Sequence, residues 1–393
     1  MQPLTLSHLC IASSVGLGQS ATLSALESGR GGLAPCRFES VTLPTWTGEI
    51  EGLETVCLPG PLAAFTCRNN QLAEIALTQD GFADAVQAAI ERYGAARIGL
   101  FVGTSTSGIL QSELAFRVRG PELPGWFRYQ QTHNTGSLAA YLRARLGIAG
   151  PSFVISCACA SSAKAFGDAA RMIASGLCDA AIVGGADSLC LTTLYGFHSL
   201  NLNAAGPCRP FDARRDGISI GEAAGFVLLE RSRSRGAKDA VQLLGVGESN
   251  DAYHMSTPHP DGIGARLAME RALTNAGLKP TEIDYINLHG TATRVGDKAE
   301  DTAVLGVFGE RPARGSTKGH TGHTLGAAGI VEAIISVLAI QNGILPGSPH
   351  TETIDPEFRG RYQLVSERAR TDRVLSNSFG FGGSNCSVVL GRA

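Results

Sequence analysis

The chain has few charged and few aromatic residues, and its charges nearly balance. Of its 393 residues, 17% are charged and 6% are aromatic, and the formal net charge is −2. The densest basic run, at residues 231–235, is short and predicts a solvated turn. Because nucleic-acid-binding proteins carry extended basic patches, this composition argues against a nucleic-acid partner.

The sequence also lacks the signals of secretion, membrane insertion and disulfide bonding. No charged N-terminal region precedes an apolar run, and no apolar run reaches the length of a membrane span. The ten cysteines have no regular spacing, and Cys10, Cys178 and Cys190 lie in apolar runs where a reduced core residue is expected. We therefore expect a cytoplasmic protein without a membrane span.

Glycine and apolar residues are abundant. The chain contains 49 glycines, and 44% of its residues are hydrophobic, which is typical of a well-packed protein with many tight loops. A length of 393 residues exceeds one ordinary core. Because predicted strands and helices alternate along the chain, we predict an α/β fold built from two duplicated halves, residues 1–240 and 241–393.

The elements of this alternation are predicted from runs of apolar residues and from helical spacing. The clearest buried strands are predicted at 97–103, 180–185 and 285–288. The clearest helices are predicted at 137–146, 263–276 and 325–340.

One stretch of small residues, 155–162, carries the strongest chemical signal. The apolar run before it predicts a strand, and the alanine-rich segment after it predicts a helix that begins at Cys159. A thiol in the first turn of a helix lies at the positive end of the helix dipole, so its pKa is expected to fall. Cys159 is thus a candidate nucleophile, although most cysteines in a reducing compartment are inert packing residues.

Two histidines lie in settings that suit catalysis. His289 follows a predicted strand, at the edge where α/β proteins place their sites, and His323 ends a small polar loop. With Cys159, they predict cysteine-based acyl transfer in which the histidines donate hydrogen bonds to a developing oxyanion or enolate.

A zinc site is the alternative for the same residues. It would use Cys157, Cys159, His320 and His323 as ligands. Cys-x-Cys and His-x-x-His are not the usual spacings of zinc ligands, and alternation along a strand would point Cys157 partly away from Cys159. We therefore predict that the site holds no metal.

The motifs resemble those of the β-ketoacyl-acyl carrier protein synthases, which are condensing enzymes of the thiolase fold. The similarity covers nearly the whole chain and rests on residues 155–162, 183–186, 210–217, 289–293, 296–297, 318, 321–323 and 377–383. The resemblance implies a layered αβαβα fold. It also implies that no cofactor is needed, because substrates arrive on the phosphopantetheine arm of an acyl carrier protein.

The resemblance also assigns roles by position. Cys159 resembles the nucleophile of the family, and His289 and His323 resemble its histidine pair. Lys318 resembles the buried lysine that supports the site, and Glu332 resembles the acidic residue of the following helix.

Further supporting residues follow from the same comparison. Phe381 resembles the gating phenylalanine, and its backbone N–H would form the oxyanion hole with that of Cys159. Asp297 lies in the Gly-Asp pair that follows the histidine motif. Two positions depart from the family: Cys157 stands where many relatives have threonine, and His320 where many have methionine or a similar apolar residue.

The carrier protein of this family is acidic, so the resemblance implies a basic rim around the site. Arg68 and Arg209 are the candidate docking residues, although each could instead be a structural salt-bridge partner. The N-terminal segment up to residue 60 is shorter and less typical than in the family, so this rim is the least defined part of the prediction.

The implied reaction is a decarboxylative Claisen condensation. An acyl group held on Cys159 would react with malonyl-acyl carrier protein to give 3-oxoacyl-acyl carrier protein. Residues 187–197 and 217–222 look similar to synthases of aryl polyene pathways, which often pair with a catalytically silent chain-length-factor homologue. The plainer alternative is a homodimeric synthase of fatty-acid elongation.

Two other functions remain open for the same fold. A chain-length factor is a structural partner without turnover, but such partners usually lose the cysteine, which is present here as Cys159. A thiolase-type acyltransferase normally needs a second cysteine near the C-terminus, where Cys386 lies. The paired histidines and the Phe-Gly-Phe-Gly-Gly sequence at 379–383 favour the decarboxylating synthase.

Overall fold

The computed structural model describes residues 1–118, 120, 122–231 and 240–392, so all but the first residue of the basic run at 231–235 lies outside the described residues. Within the described part, the strands are β1 (Leu4–Ser13), β2 (Gly16–Leu17), β3 (Ala34–Pro35), β4 (Trp46–Gly48), β5 (Ile98–Gly103), β6 (Ser152–Ile155), β7 (Ala180–Asp187), β8 (Ile220–Gly221), β9 (Ala223–Arg231), β10 (Val241–Asn250), β11 (Tyr285–Asn287), β12 (Ala313–Gly315), β13 (Ile344–Leu345), β14 (Arg361–Tyr362), β15 (Glu367–Arg368), β16 (Arg373–Gly380) and β17 (Ser384–Arg392).

The α-helices of the described part alternate with these strands. They are α1 (Gly18–Ser28), α2 (Arg68–Leu77), α3 (Phe82–Tyr93), α4 (Ile109–Arg117), α5 (Ser137–Leu146), α6 (Ser161–Ala174), α7 (Leu191–Ser199), α8 (Ile263–Ala276), α9 (Arg294–Phe308), α10 (Lys318–Thr321) and α11 (Ala328–Asn342). A 3-10 turn, Leu325–Ala327, leads directly into α11.

The main sheet contains the same strand arrangement twice. Its order is β14-β12-β11-β16-β17-β10-β1-β9-β7-β5-β6. One set of five neighbouring strands is β6-β5-β7-β9-β1, and the other is β12-β11-β16-β17-β10. In each set, the first two strand pairs are parallel and the next two are antiparallel. The two sets join where β1 pairs with β10 at Leu4 and Thr5. This repeat confirms the duplicated α/β fold, while the exact boundary at residue 240 stays a prediction.

Three of the five hydrophobic clusters among the described residues separate five layers. One outer core lies between α2, α3 and α5 and the first set of strands, and it includes Leu72, Val86 and Leu142. The other outer core places α8 and α9 on the second set of strands. Between the two sets lie α6 and α11, which share the largest core. The order is therefore αβαβα, as the resemblance implied.

The central helices α6 and α11 approach each other so closely that only a glycine fits. A Cβ atom built on Gly329 would lie 2.5 Å from the backbone nitrogen of Ala163. Each helix follows a loop with a candidate site residue, Cys159 before α6 and His323 before α11. The close packing of these two helices therefore brings together residues that are far apart in the sequence.

The segment Leu325–Asn342 is the most apolar part of the described structure. By length and composition it could cross a membrane, yet 89% of it is buried inside the protein. The pattern is that of a core helix, because both sets of strands pack against it.

We expect Gly329→Ala to destabilise the protein, because the new methyl group would collide with the backbone of α6. The cost should be about 1–3 kcal/mol in the free energy of unfolding, as for other overpacked cores. The matched control is Gly306→Ala in α9, where a Cβ atom would meet its nearest neighbour at 3.8 Å. That control should stabilise the protein by about 0.5–1 kcal/mol, since alanine favours helices over glycine. Urea denaturation would measure both, and equal midpoints for the two variants would contradict the packing argument.

Candidate active site

Cys159 lies in a sharp turn between β6 and α6. The residue before it, Ala158, has a positive φ of 48°, and the first helical residue is Ser161. The prediction that the helix begins at Cys159 is therefore wrong by two residues. The Ser161 hydroxyl stabilises the turn, since it donates to the Ala158 carbonyl and accepts the N–H of Cys157 at 2.9 Å.

The expected fall in the thiol pKa is also wrong. Cys159 is 6% exposed, and burial raises its pKa to about 11 because the thiolate is desolvated. The positive charge of Lys318 and the backbone N–H of Phe381 oppose this rise without cancelling it. The free thiol is therefore the resting form at neutral pH.

His323 contacts the sulfur directly. Its Nε2 lies 3.0 Å from Sγ of Cys159, while its Nδ1 is buried without a hydrogen-bond partner among the described residues. A buried N–H without a partner costs more than an unpaired acceptor, so the proton belongs on Nε2. His323 therefore presents a donor towards Cys159.

Lys318 fixes the tautomer of the second histidine. Its ammonium group contacts Oε1 of Glu332, the backbone oxygen of His289 and Nδ1 of His289, the last at 3.3 Å. These acceptors match the three protons of an ammonium group. Because Nδ1 of His289 then accepts a hydrogen bond, the ring carries its proton on Nε2.

Burial and the nearby ammonium group keep both imidazoles neutral. The pKa of His289 is lowered well below its ordinary value, first by burial and then by the charges of Lys318 and His323. The pKa of His323 is lowered for the same reasons, burial first and Lys318 second. The two rings lie 5.3 Å apart between centroids and nearly perpendicular. The site therefore holds two neutral donors beside one thiol.

Glu332 and Asp297 are buried carboxylates with different partners. Burial raises the pKa of Glu332, and its ion pair with Lys318 opposes this rise. Burial raises the pKa of Asp297 to about 7, although it accepts the N–H groups of Phe211 at 2.7 Å and Ala292 at 3.1 Å. Asp297 thus holds the loop after His289 against the 210–217 segment.

Glu300 is a supporting residue that the sequence reasoning missed. It is 3% exposed and accepts the backbone N–H groups of His289 and Gly290, each at 2.8 Å. A signal was present, because the acidic residues at 297, 300 and 301 follow helical spacing and share one face of α9. That face is buried, and Asp297 and Glu300 on it contact the site loop, whereas Asp301 accepts a hydrogen bond from Tyr362.

A cavity of about 340 Å³ opens onto Cys159, His289 and His323. Phe381 lines it, and its ring lies 5.4 Å from that of Phe197. The backbone N–H of Phe381 is close enough to the cysteine sulfur to lower the pKa of the thiol. The structure thus places Phe381 at the cavity beside Cys159, and its gating and oxyanion-hole roles stay predictions.

His320 does not join Cys159 and His323, so the structure gives no support to the zinc alternative that the ligand spacing already disfavoured. The side-chain ligand atoms of Cys159, His289 and His323 lie within 4.8 Å of one another and could hold a metal ion. His320 instead faces the Arg30 carbonyl, 3.0 Å from its Nδ1, and burial lowers its pKa to about 4. The set Cys157, Cys159, His320 and His323 is therefore wrong.

Arg68 is not a docking residue. It is 8% exposed and forms a bidentate pair with Glu222, with distances of 2.8 Å and 2.6 Å, beside Glu49 and Glu54. This buried network leaves it no free charge for a partner. Arg209 is partly buried and does not line the cavity, so its docking role stays a prediction.

Two family models match this chain. The description "Beta-ketoacyl synthase, N-terminal domain" covers residues 64–235, and "Beta-ketoacyl synthase, C-terminal domain" covers residues 241–352. The chain belongs to the beta-ketoacyl synthase family. It is thus a condensing enzyme by family, with the duplicated fold described above.

Curated relatives agree with this assignment. The 3-oxoacyl-[acyl-carrier-protein] synthase 2 of Staphylococcus aureus is 32% identical over 405 residues, which cover 92% of this chain and 99% of the relative. The enzyme of the same name from Rhizobium meliloti is 39% identical over 315 residues, which cover 75% of this chain and 74% of the relative. The mitochondrial synthase of Arabidopsis thaliana is 41% identical, covering 64% of this chain and 59% of the relative.

Solved ketosynthase structures superpose on the whole chain. The ketosynthase ApeO from Xenorhabdus doucetiae, solved with its chain length factor ApeC, has a TM-score of 0.90 and 37% identity, covering 100% of this chain and 98% of the other. The ishigamide ketosynthase/chain length factor has a TM-score of 0.90 and 27% identity, and the match covers 100% of this chain and 99% of the other.

We predict that alkylation of Cys159 by iodoacetamide accelerates with pH up to about 11, because only the thiolate reacts and its pKa is raised to about 11. At pH 8 its thiolate fraction should be about a hundredfold lower than that of an ordinary cysteine. Lys318→Met combined with Glu332→Gln should slow the reaction further, since the ammonium group lowers the pKa of the thiol. Lys298→Met, at an exposed lysine, is the control. Site-resolved mass spectrometry gives the rates, and a wild-type midpoint near pH 8.5 would refute the burial argument.

Proposed function

We propose that this chain catalyses the decarboxylative Claisen condensation of an acyl thioester with malonyl-acyl carrier protein. The observation that carries the proposal is the contact of 3.0 Å between Cys159 Sγ and His323 Nε2, with neutral His289 beside it in one cavity. Such a site contains a nucleophile and two donors for a developing negative charge.

In the first half-reaction, the sulfur of Cys159 attacks the acyl thioester carbonyl. The backbone N–H groups of Cys159 and Phe381 stabilise the tetrahedral oxyanion. When the intermediate collapses, the acyl group remains on Cys159 and the carrier leaves as a thiol, which takes up the proton lost by the cysteine. His323 donates to the sulfur during this exchange and lowers the cost of forming the buried thiolate.

In the second half-reaction, malonyl-acyl carrier protein enters the same cavity. Its thioester carbonyl accepts hydrogen bonds from Nε2 of His289 and of His323, which stabilise the enolate as CO2 leaves. The enolate carbon attacks the acyl carbonyl, the C–S bond to Cys159 breaks, and a 3-oxoacyl thioester forms. The released thiolate takes up a proton from solvent and returns to the thiol. Lys318 contributes by keeping both imidazoles neutral and one tautomer fixed.

We propose that these residues act without a metal or redox cofactor. The three potential metal ligands are the same atoms that the two half-reactions need, so a bound ion would compete with substrate. Inhibition by added Zn²⁺, with full activity after chelator treatment, would support this part of the proposal.

A thiolase-type reaction is less well supported. It needs a second reactive cysteine at the substrate, but Cys386 is fully buried in β17 and does not line the cavity. The silent chain-length-factor role is also less well supported, because Cys159 is present and contacts His323.

The similarity to ApeO, which was solved with its chain length factor, favours a chain-length-factor homologue as partner. The resemblance of residues 187–197 and 217–222 to aryl polyene synthases favours a pathway that builds a conjugated chain. A fatty-acid pathway with a homodimer is the second candidate, favoured by the relatives named 3-oxoacyl-[acyl-carrier-protein] synthase 2. All ten cysteines are unpaired, which supports the reducing cytosol as the compartment.

The edge strand β6 supplies the surface for such a partner. Among the described residues, β6 pairs with β5 on one side only, and Phe153 on it is 50% exposed. An unpaired edge with an exposed aromatic residue invites pairing with another sheet. We therefore place the subunit interface at β6.

The carrier protein approaches the open end of the cavity. Arg294 lines this cavity and is exposed, and no salt bridge to it is formed among the described residues. The charge of Arg68 is already paired with that of Glu222. Arg294 therefore replaces Arg68 as the candidate residue that binds the acidic carrier protein or its phosphate group.

The test of the reaction is intact-protein mass spectrometry with malonyl-acyl carrier protein and two acyl donors, one saturated and one aryl-polyenyl. We expect an acyl adduct on the wild type that is lost in Cys159→Ala, together with CO2 release and chain extension. His289→Ala should keep the adduct but lose at least about a hundredfold in extension rate, as for a lost oxyanion donor. The donor that loads identifies the pathway. No adduct from either donor would refute the nucleophilic role of Cys159 in the chain alone.

We expect Phe153→Lys to prevent assembly, because it places a charge on the edge that the partner strand would cover. Analytical ultracentrifugation, of the chain alone and of the chain with a chain-length-factor homologue, measures the effect and separates the homodimer from the heterodimer. Val365→Lys is the control, because Val365 is 74% exposed and lies in the connection between β14 and β15. Unchanged assembly of both variants would exclude β6 as the interface.

A further inference from the structure

Asp187, at the end of β7, is a fully buried carboxylate that accepts hydrogen bonds from six donor groups. Its Oδ1 lies 2.7 Å from the hydroxyls of Thr104 and Thr106 and 2.9 Å from the N–H of Thr106. The N–H of Ser105 lies 2.9 Å from both carboxylate oxygens, and its hydroxyl lies 2.6 Å from Oδ2. The N–H of Gly326 lies 2.5 Å from Oδ2.

The donors fill the acceptor positions of the Asp187 carboxylate. A carboxylate offers about four acceptor positions, and all of them are directed at donors here. Hydroxyl groups can rotate, but the N–H groups of Ser105, Thr106 and Gly326 cannot reverse. No arginine, lysine or histidine among the described residues forms a salt bridge with Asp187, so these hydrogen bonds alone compensate its burial.

The donors belong to two segments that flank the candidate active site. The loop at 104–106 follows β5, and the N–H of Thr104 donates to the carbonyl of Ile155, on the strand that leads to Cys159. Gly326 lies in the 3-10 turn between His323 and α11. Asp187 thus ties the turn after His323 to the segment before Cys159.

We propose that Asp187 is a positioning residue, which holds the turn carrying His323 within hydrogen-bond distance of Cys159. It does not touch the reacting atoms. The oxyanion-hole groups of Cys159 and Phe381 are not bonded to it. Both half-reactions use His323, but the negative charge of Asp187 also raises the pKa of Cys159, so its removal offsets part of the loss in acyl transfer. Loss of Asp187 should therefore impair enolate formation more than acyl transfer to Cys159.

The test compares the two half-reactions in Asp187→Asn, and its kinetic readout rests on the proposed condensation. We expect malonyl decarboxylation to slow by at least about tenfold, the effect of a loss near 1.4 kcal/mol, while acyl transfer changes by less than about threefold. Thr106→Val and Ser105→Ala, which each remove one hydroxyl donor and keep the charge, should shift the ratio in the same direction by a smaller factor. They carry the test if Asp187→Asn does not fold.

Asp301→Asn is the matched control. Asp301 is also a buried carboxylate, but it accepts a hydrogen bond from the Tyr362 hydroxyl at 2.5 Å and from no described residue of the site loop. Its loss should lower the melting temperature and leave the ratio of the half-reactions unchanged. If Asp187→Asn slows both half-reactions by the same factor, so that their ratio stays unchanged as in the control, Asp187 only stabilises the fold. That result would overturn the proposal.

A substrate-free measurement separates this inference from the proposed function. If the wild type catalyses neither half-reaction, the condensation is refuted, and a crystal structure of Asp187→Asn still tests the positioning. We expect the distance between His323 Nε2 and Cys159 Sγ to exceed its present 3.0 Å. An unchanged distance would overturn the role of Asp187.

Discussion

The buried ammonium group of Lys318 determines the protonation of its neighbours. Its three protons are used by Glu332 and by two atoms of His289, so the imidazole must carry its own proton on the side of the cavity. Burying an ion pair costs desolvation energy that the pair itself barely recovers. What the arrangement provides is a fixed positive charge that keeps His289 and His323 neutral and opposes the rise in the Cys159 pKa.

The duplication of the fold explains why the candidate nucleophile and histidine meet. Cys159 precedes α6 in the first half, and His323 precedes α11 in the second half. Both helices lie between the two sets of strands, and they cross at Gly329 without room for a side chain. The loops before the two helices therefore lie side by side. As a result, Cys159 and His323 are within hydrogen-bond distance although 164 positions separate them in the sequence.

Buried carboxylates hold the loops of the site by their backbone N–H groups. Glu300 binds the segment of His289, Asp297 binds the next turn, and Asp187 binds the turn after His323. Hydrogen bonds of N–H groups to charged acceptors are strong and directional, so these loops are rigid before substrate arrives. Such preorganisation is what stabilisation of an enolate requires, because donors that must first reorient lose much of their effect.

The sequence by itself determined the local elements and the chemical identity of the site. The helices predicted at 137–146 and 263–276 match the structure to the residue, since their apolar spacing and flanking glycines are local signals. The tertiary structure alone decided the rest. The pKa of Cys159 rises because of burial by distant segments, and Arg68 pairs with Glu222 across 154 positions. Glu300 binds backbone N–H groups of the site loop, and Asp187 binds N–H groups and hydroxyls of two distant segments, which no sequence motif records. Each of these outcomes depends on which atoms exclude water from a group, and only the packing of the two halves decides that.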